Sequence, residues 1–158
     1  RLLAWPGVGN AKYAQLRAAL ELARRQALQQ VQASDVLSSP GDTLRFLQYH
    51  LGIHNREVFC CIFLDSQHQV LCCEDLFFGT LDGAAVYPRE VATRALQYRA
   101  AAVIFGHNHP SGRAEPSSAD RRITERLCAA LGRLDIRVLD HVIIGRGREF
   151  SFAREGLL

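Results

Sequence analysis

A chain of 158 residues, 48% apolar and 22% charged, has the material for one domain with a proper core, and its interspersed charges exclude bulk disorder. No apolar run approaches the roughly 20 residues that cross a bilayer, and no basic-then-apolar secretory pattern is present, so the expectation is a cytoplasmic protein without a membrane partner. The net charge of +3 is uneven: residues 1–33 hold Arg1, Lys12, Arg17, Arg24 and Arg25 against Glu21 alone, so any general attraction to polyanions belongs to that segment.

Trp5-Pro6-Gly7-Val8-Gly9-Asn10 reads as a turn, with two glycines free to take positive φ. Residues 11–32 then change to a helical period, with Tyr13, Leu16, Leu20, Ala23, Ala27 and Val31 at three- and four-residue steps. A Pro-Gly-hydrophobic-Gly turn feeding a helix resembles the second half of a helix-hairpin-helix motif, and residues 1–33 match that half only. The resemblance implies backbone N–H groups that hold a DNA phosphate, with Gly7, Gly9 and Lys12 as the candidate DNA contacts.

Residues 34–42, with Ser34, Ser38, Ser39, Pro40 and Gly41, read as a linker into a domain spanning 43–158, although Ser39-Pro40 also suits the start of a short helix to about Leu51. Glu57–Leu64 and Val70–Phe77 are strand-like and joined by Asp65–Gln69. Adjacent cysteines on a strand face opposite sides, so neither Cys60-Cys61 nor Cys72-Cys73 can chelate one ion by itself. With Cys128 they make five thiols without framework spacing, read as small hydrophobes in a reducing compartment. After a loop from Gly79 to Gly83, Pro88 opens a helix carrying Val91, Ala95, Leu96 and Tyr98. Ala101–Gly106 is a buried strand. A helix from about Ser118 to Leu131, a strand at Ile136–Ile144, a turn at Gly145–Gly147 and a last strand at Glu149–Phe152 complete the order. The sum is an α/β fold: a mixed β-sheet flanked by helices on two sides. His50, His54 and His68 are expected at the surface.

The stretch Ile104–Asp120, IFGHNHPSGRAEPSSAD, carries the chemistry. Residues two apart on a strand project to one side, so His107 and His109 can aim at a single point. A zinc ion with a water to activate needs a third protein ligand, commonly His, Asp or Glu, and the following helix offers Asp120 near its first turn. Ser117 and Asp120 also match a capping box, so helix-start chemistry alone accounts for both. It does not account for the pairing of His107 with His109, and a cap is compatible with ligation because it fixes where Asp120 points.

His-x-His, seven residues, then Ser-x-x-Asp resembles the JAMM (MPN-plus) metalloprotease signature. Over residues 36–158 the chain is similar to the bacterial RadC family, through Gly79-Thr80-Leu81-Asp82, Val86-Tyr87-Pro88-Arg89-Glu90-Val91, Gly106-His107-Asn108-His109-Pro110-Ser111-Gly112 and Leu139-Asp140-His141. The resemblance implies a cytidine-deaminase-like JAMM/MPN fold and one zinc ion held by His107, His109 and Asp120. It further implies Glu57 as general base toward a water, and Ser117 as donor to the oxyanion. Glu74 and Glu90 are the other carboxylates open to the basic role. His141 stands in a family word, either as a satisfied strand histidine or as a substrate contact. The leading expectation is a zinc-dependent hydrolase acting on a protein or peptide. The alternative is a DNA-repair-associated or DNA-binding protein that meets DNA through residues 1–33 and whose JAMM domain is not a peptidase.

Overall fold

The structure, a computed structural model, describes residues 9–33, 40–79 and 86–158. The turn at Trp5–Val8 with Gly7, the segment 34–39 with Ser39, and the words Thr80-Leu81-Asp82 and the loop to Gly83 lie outside the described residues. Nine elements are described: α1 (Asn10–Ala33), α2 (Pro40–Leu51), β1 (Val58–Leu64), β2 (Val70–Phe78), α3 (Pro88–Gln97), β3 (Ala102–Asn108), α4 (Ser118–Gly132), β4 (Arg137–Ile144) and β5 (Glu149–Ser151). Residues 40–42, read from sequence as the end of a linker, are the first turn of α2.

The strands form one mixed sheet in the order β2-β1-β3-β4-β5, in which β3 and β4 run parallel and the other neighbours antiparallel. β1 is Val-Phe-Cys-Cys-Ile-Phe-Leu, and all seven residues are buried. A strand apolar without alternation needs cover on both faces, and this one has it. Its odd-numbered side chains Phe59, Cys61 and Phe63 join Val91 and Ala95 of α3 and Ile123, Leu127 and Leu131 of α4. Its even-numbered ones, Val58, Cys60, Ile62 and Leu64, join Phe46, Leu47 and Leu51 of α2. Cys60 and Cys61 thus face opposite layers, as period-2 projection requires.

Gly106 of β3 lets α2 lie close to the sheet: a Cβ there would stand 2.7 Å from Leu47 Cδ2. β3 extends two residues beyond the predicted end, so both His107 and Asn108 are buried strand residues. One surface expectation is corrected. His50 is 8% exposed, because the face of α2 that carries Phe46 and Leu47 also turns His50 onto the sheet, where Asp75 of β2 meets it. His54 and His68 are half-buried.

Candidate metal centre

Antiparallel pairing of β1 with β3 sets Phe59 opposite His107. Glu57 and His109 each lie two residues beyond that pair, just outside the ladder, and their donor atoms come near one another. The chain then turns through Pro110–Gly112, where Gly112 has φ +86° and donates its N–H to His109 O. This turn returns the chain to α4, whose first turn faces the end of β3. Donor atoms of Glu57, His107, His109 and Asp120 all lie within 4.8 Å of one another. The alternative bases lie elsewhere: Glu74 accepts from the Tyr98 hydroxyl and pairs with Arg94 at 3.5 Å, and Glu90 pairs with Arg89.

The helix start does what its sequence predicts. Ser117 caps α4: its Oγ accepts from Asp120 N at 3.1 Å, and Asp120 Oδ2 accepts from Ser117 N at 2.7 Å. That reciprocal pair points the Asp120 carboxylate back at the strand end. Asp120 Oδ1 lies 3.2 Å from His107 Nε2, and its Oδ2 lies 3.4 Å from His109 Nε2. The two imidazole Nε2 atoms are 3.0 Å apart.

Hydrogen-bond logic assigns the tautomers. Thr124 Oγ1 lies 2.6 Å from the Asp120 backbone oxygen, an acceptor, so its single hydroxyl proton is spent there. His141 Nδ1, 2.6 Å from the same Oγ1, must then donate, which leaves His141 Nε2 as an acceptor. His107 Nδ1, at 2.8 Å, donates to that acceptor. His109 Nδ1 donates to Arg113 O at 2.9 Å. Both histidines, when neutral, therefore carry Nδ1–H, and both Nε2 lone pairs face the Asp120 carboxylate. Two imidazole lone pairs and a carboxylate directed at one another repel unless a cation or proton stands between them.

The electrostatics follow from this. Burial pushes His107 below the ordinary histidine value, against the opposing hydrogen bond and charge of Asp120. His109, half-buried, is pushed up, first by the hydrogen bond that its protonated Nε2 can give Asp120. Burial works against charge on Asp120, but the hydrogen bonds that His107 and His109 give it when their Nε2 atoms are protonated, with the one from Ser117, outweigh burial and hold the carboxyl well below the usual range. Burial also keeps His141 neutral, well below the ordinary value.

Two further residues belong to this centre. His141, fully buried, orients His107 through the chain just traced. Asn108, 4% exposed and lying between the two histidines, points through the sheet to the other face. There its Oδ1 accepts from Val58 N at 2.8 Å and its Nδ2 donates to Arg56 O at 3.0 Å. Those two groups bracket Glu57, so Asn108 fastens the very segment that delivers the carboxylate. Asn108 lies two residues past the strand end that the sequence predicts, so its place between the two histidines is the one mark of it there. Of the candidate DNA contacts, Gly9 and Lys12 are exposed at the head of α1, which packs on α2, and neither is in the cluster.

A family model described as a RadC-like JAB domain matches residues 37–157. The chain belongs to the RadC family. It is 57% identical to a UPF0758 protein of Marinobacter nauticus over 152 residues, 96% of this chain and 68% of that protein. It is 56% identical to a UPF0758 protein of Nitrosococcus oceani over 153 residues, 97% of this chain and 68% of that one. A UPF0758 protein of Aeromonas hydrophila is 55% identical over 152 residues, with 96% and 68% covered. The mixed sheet between helical layers agrees with the JAB domain that the family match implies. No described helix is long and apolar enough to cross a membrane.

Proposed function

We propose that this RadC-family chain is a zinc-dependent hydrolase, a peptidase or isopeptidase, working in the cytoplasm. The observation that carries the reading is the convergence of His107, His109 and Asp120, with both Nε2 lone pairs turned inward and Glu57 beside them. The donor set of two neutral imidazoles and one carboxylate fits zinc and leaves a fourth position for solvent. Zinc bound there would supply a Lewis acid and a water acidified toward a pKa of about 7.

The chain's own groups do the rest. Glu57 adds a second carboxylate beside the three proposed ligands, at the distance where it can take a proton from water and hand it to the departing amine. Ser117 uses its oxygen lone pair to cap α4, which leaves its O–H to donate to the oxygen of the scissile carbonyl as charge develops there. Ser117 is exposed at the mouth of the site, where an incoming chain can meet it. Asp120 and the His141–His107 pair hold charge and tautomer constant during turnover.

The direct test is metal analysis of protein purified without chelator. The expected result is that His107→Ala and Asp120→Ala each lose one zinc equivalent relative to the parent protein. Zinc unchanged by both substitutions would refute the site. A peptide or isopeptide library cleaved by the parent protein and not by Glu57→Gln would establish the activity.

A further inference from the structure

On the α2 side of the sheet a second group of ligand-type side chains comes together. One donor atom each from His50, Cys60 and Cys73 lies within 4.8 Å of the other two. The three arrive from three elements: the last turn of α2, the middle of β1 and the middle of β2. Cys60 belongs to the core layer under α2, and Cys73 packs against that same layer. Asp75, the ladder partner of Cys60, places Oδ1 2.5 Å from His50 Nε2. A carboxylate against an imidazole is the arrangement that orients metal-binding histidines. Gly106, the partner of Cys60 on its other side, leaves the sulfur uncrowded, since a Cβ there would stand 3.2 Å from it. The surroundings are dry: Cys60 is fully buried, and Phe46 stacks on the His50 ring at 5.3 Å.

We propose that His50, Cys60 and Cys73, with Asp75 beside the imidazole, form a second metal site for a thiophilic divalent cation, zinc foremost. Neither cysteine pair that the sequence displays could chelate by itself, because neighbours on a strand point apart. The antiparallel register resolves this by taking one cysteine from each pair and setting them on one face. The donors are soft sulfurs, unlike the all-nitrogen-and-oxygen set around His107, so the two sites differ in chemistry as well as in side of the sheet. Thiolates are the ligating form, whereas the hydrogen bond with Cys73 and burial push the Cys60 thiol well up. Loading therefore releases protons and tightens as pH rises.

The site is structural: it pins α2 to β1 and β2 just before the chain leaves α2 for Glu57. A ligand bound only by the native form stabilises it, so the ion would raise the melting temperature.

Cobalt(II) tests this first on the wild-type protein and then on single variants. The wild-type protein, reduced and freed of metal, is titrated with cobalt(II) and followed in the near ultraviolet and visible. A thiolate-to-cobalt charge-transfer band is expected, complete by two equivalents in the wild-type protein, where the His107 site takes the other ion, and by one equivalent in His107→Ala. It should survive His107→Ala, vanish in Cys73→Ser, and be abolished by added zinc. Only sulfur ligation gives that band, so its presence or absence reports this site independently of the hydrolase reading. Cobalt uptake by the wild-type protein with no such band would overturn the proposal, as would a band that persists in both Cys73→Ser and Cys60→Ser.

Discussion

His141→Phe separates positioning from ligation at the proposed centre. The substitution keeps a planar ring among Phe59, Phe105 and Phe152, whose centroids lie 5.5, 5.9 and 5.0 Å from that of His141. It removes the acceptor for His107 Nδ1–H, which is fully buried. A buried donor without a partner costs about 1–3 kcal/mol, so the metal-free protein should lose that much stability in urea unfolding. Freed from His141, the His107 ring can turn or carry its proton on Nε2, where it competes with the metal. Loss of such an orienting partner costs about 10–100-fold in metal affinity, or about 1.4–2.7 kcal/mol. The assay is zinc competition against a chromophoric chelator, reading the equivalent that His109→Ala removes. Unchanged affinity in a folded His141→Phe protein would refute the tautomer assignment. A complete loss of zinc would instead make His141 part of the binding set itself.

Asn108→Asp keeps the acceptor for Val58 N but turns a donor to Arg56 O into a second acceptor. It should cost about 2–4 kcal/mol in urea unfolding, more than Asn108→Ala would if the bonds to the 56–58 segment were unimportant. Glu57→Gln should leave the zinc content of the first site unchanged while abolishing cleavage; loss of metal would make Glu57 a ligand. In the metal-free protein His107 and His141 are held neutral by burial, below the ordinary 6.5. Below that pH the unfolded chain binds their protons more readily than the native one, so stability should fall with pH, by at most about 1.4 kcal/mol per pH unit for each group. His109, pushed up, contributes the opposite sign only above 6.5, where its stabilisation is lost as pH rises through its native value. A stability profile flat between pH 6.5 and 5 would contradict the buried neutral pair.

The sequence is most readable where local chemistry determines the structure. The unbroken apolar run of β1, the Pro-led α3 and the Ser117–Asp120 cap each need only their own neighbours, and each lies where its pattern puts it. His107 and His109 are legible because strand period 2 places them together. What escapes is whatever depends on register between strands far apart in sequence. His141 acquires its partner only because β4 runs parallel to β3 and α4 brings Thr124 over it. Cys60 meets Cys73 only through the β1–β2 ladder, and His50 reaches them only because α2 lies flat against Gly106. Glu57 is legible only through resemblance; the pairing of Phe59 with His107 at the end of the β1–β3 ladder supplies the physical reason that it lies near His109.

Anomalous diffraction at the zinc edge, from crystals of protein purified without chelator and supplied with zinc, tests the central claim most directly. The account predicts a peak bound by His107 Nε2, His109 Nε2 and an Asp120 oxygen, with the Glu57 carboxylate close to the fourth position but not bound to the ion. No peak between those three side chains, or a zinc ligated directly by Glu57, would contradict it.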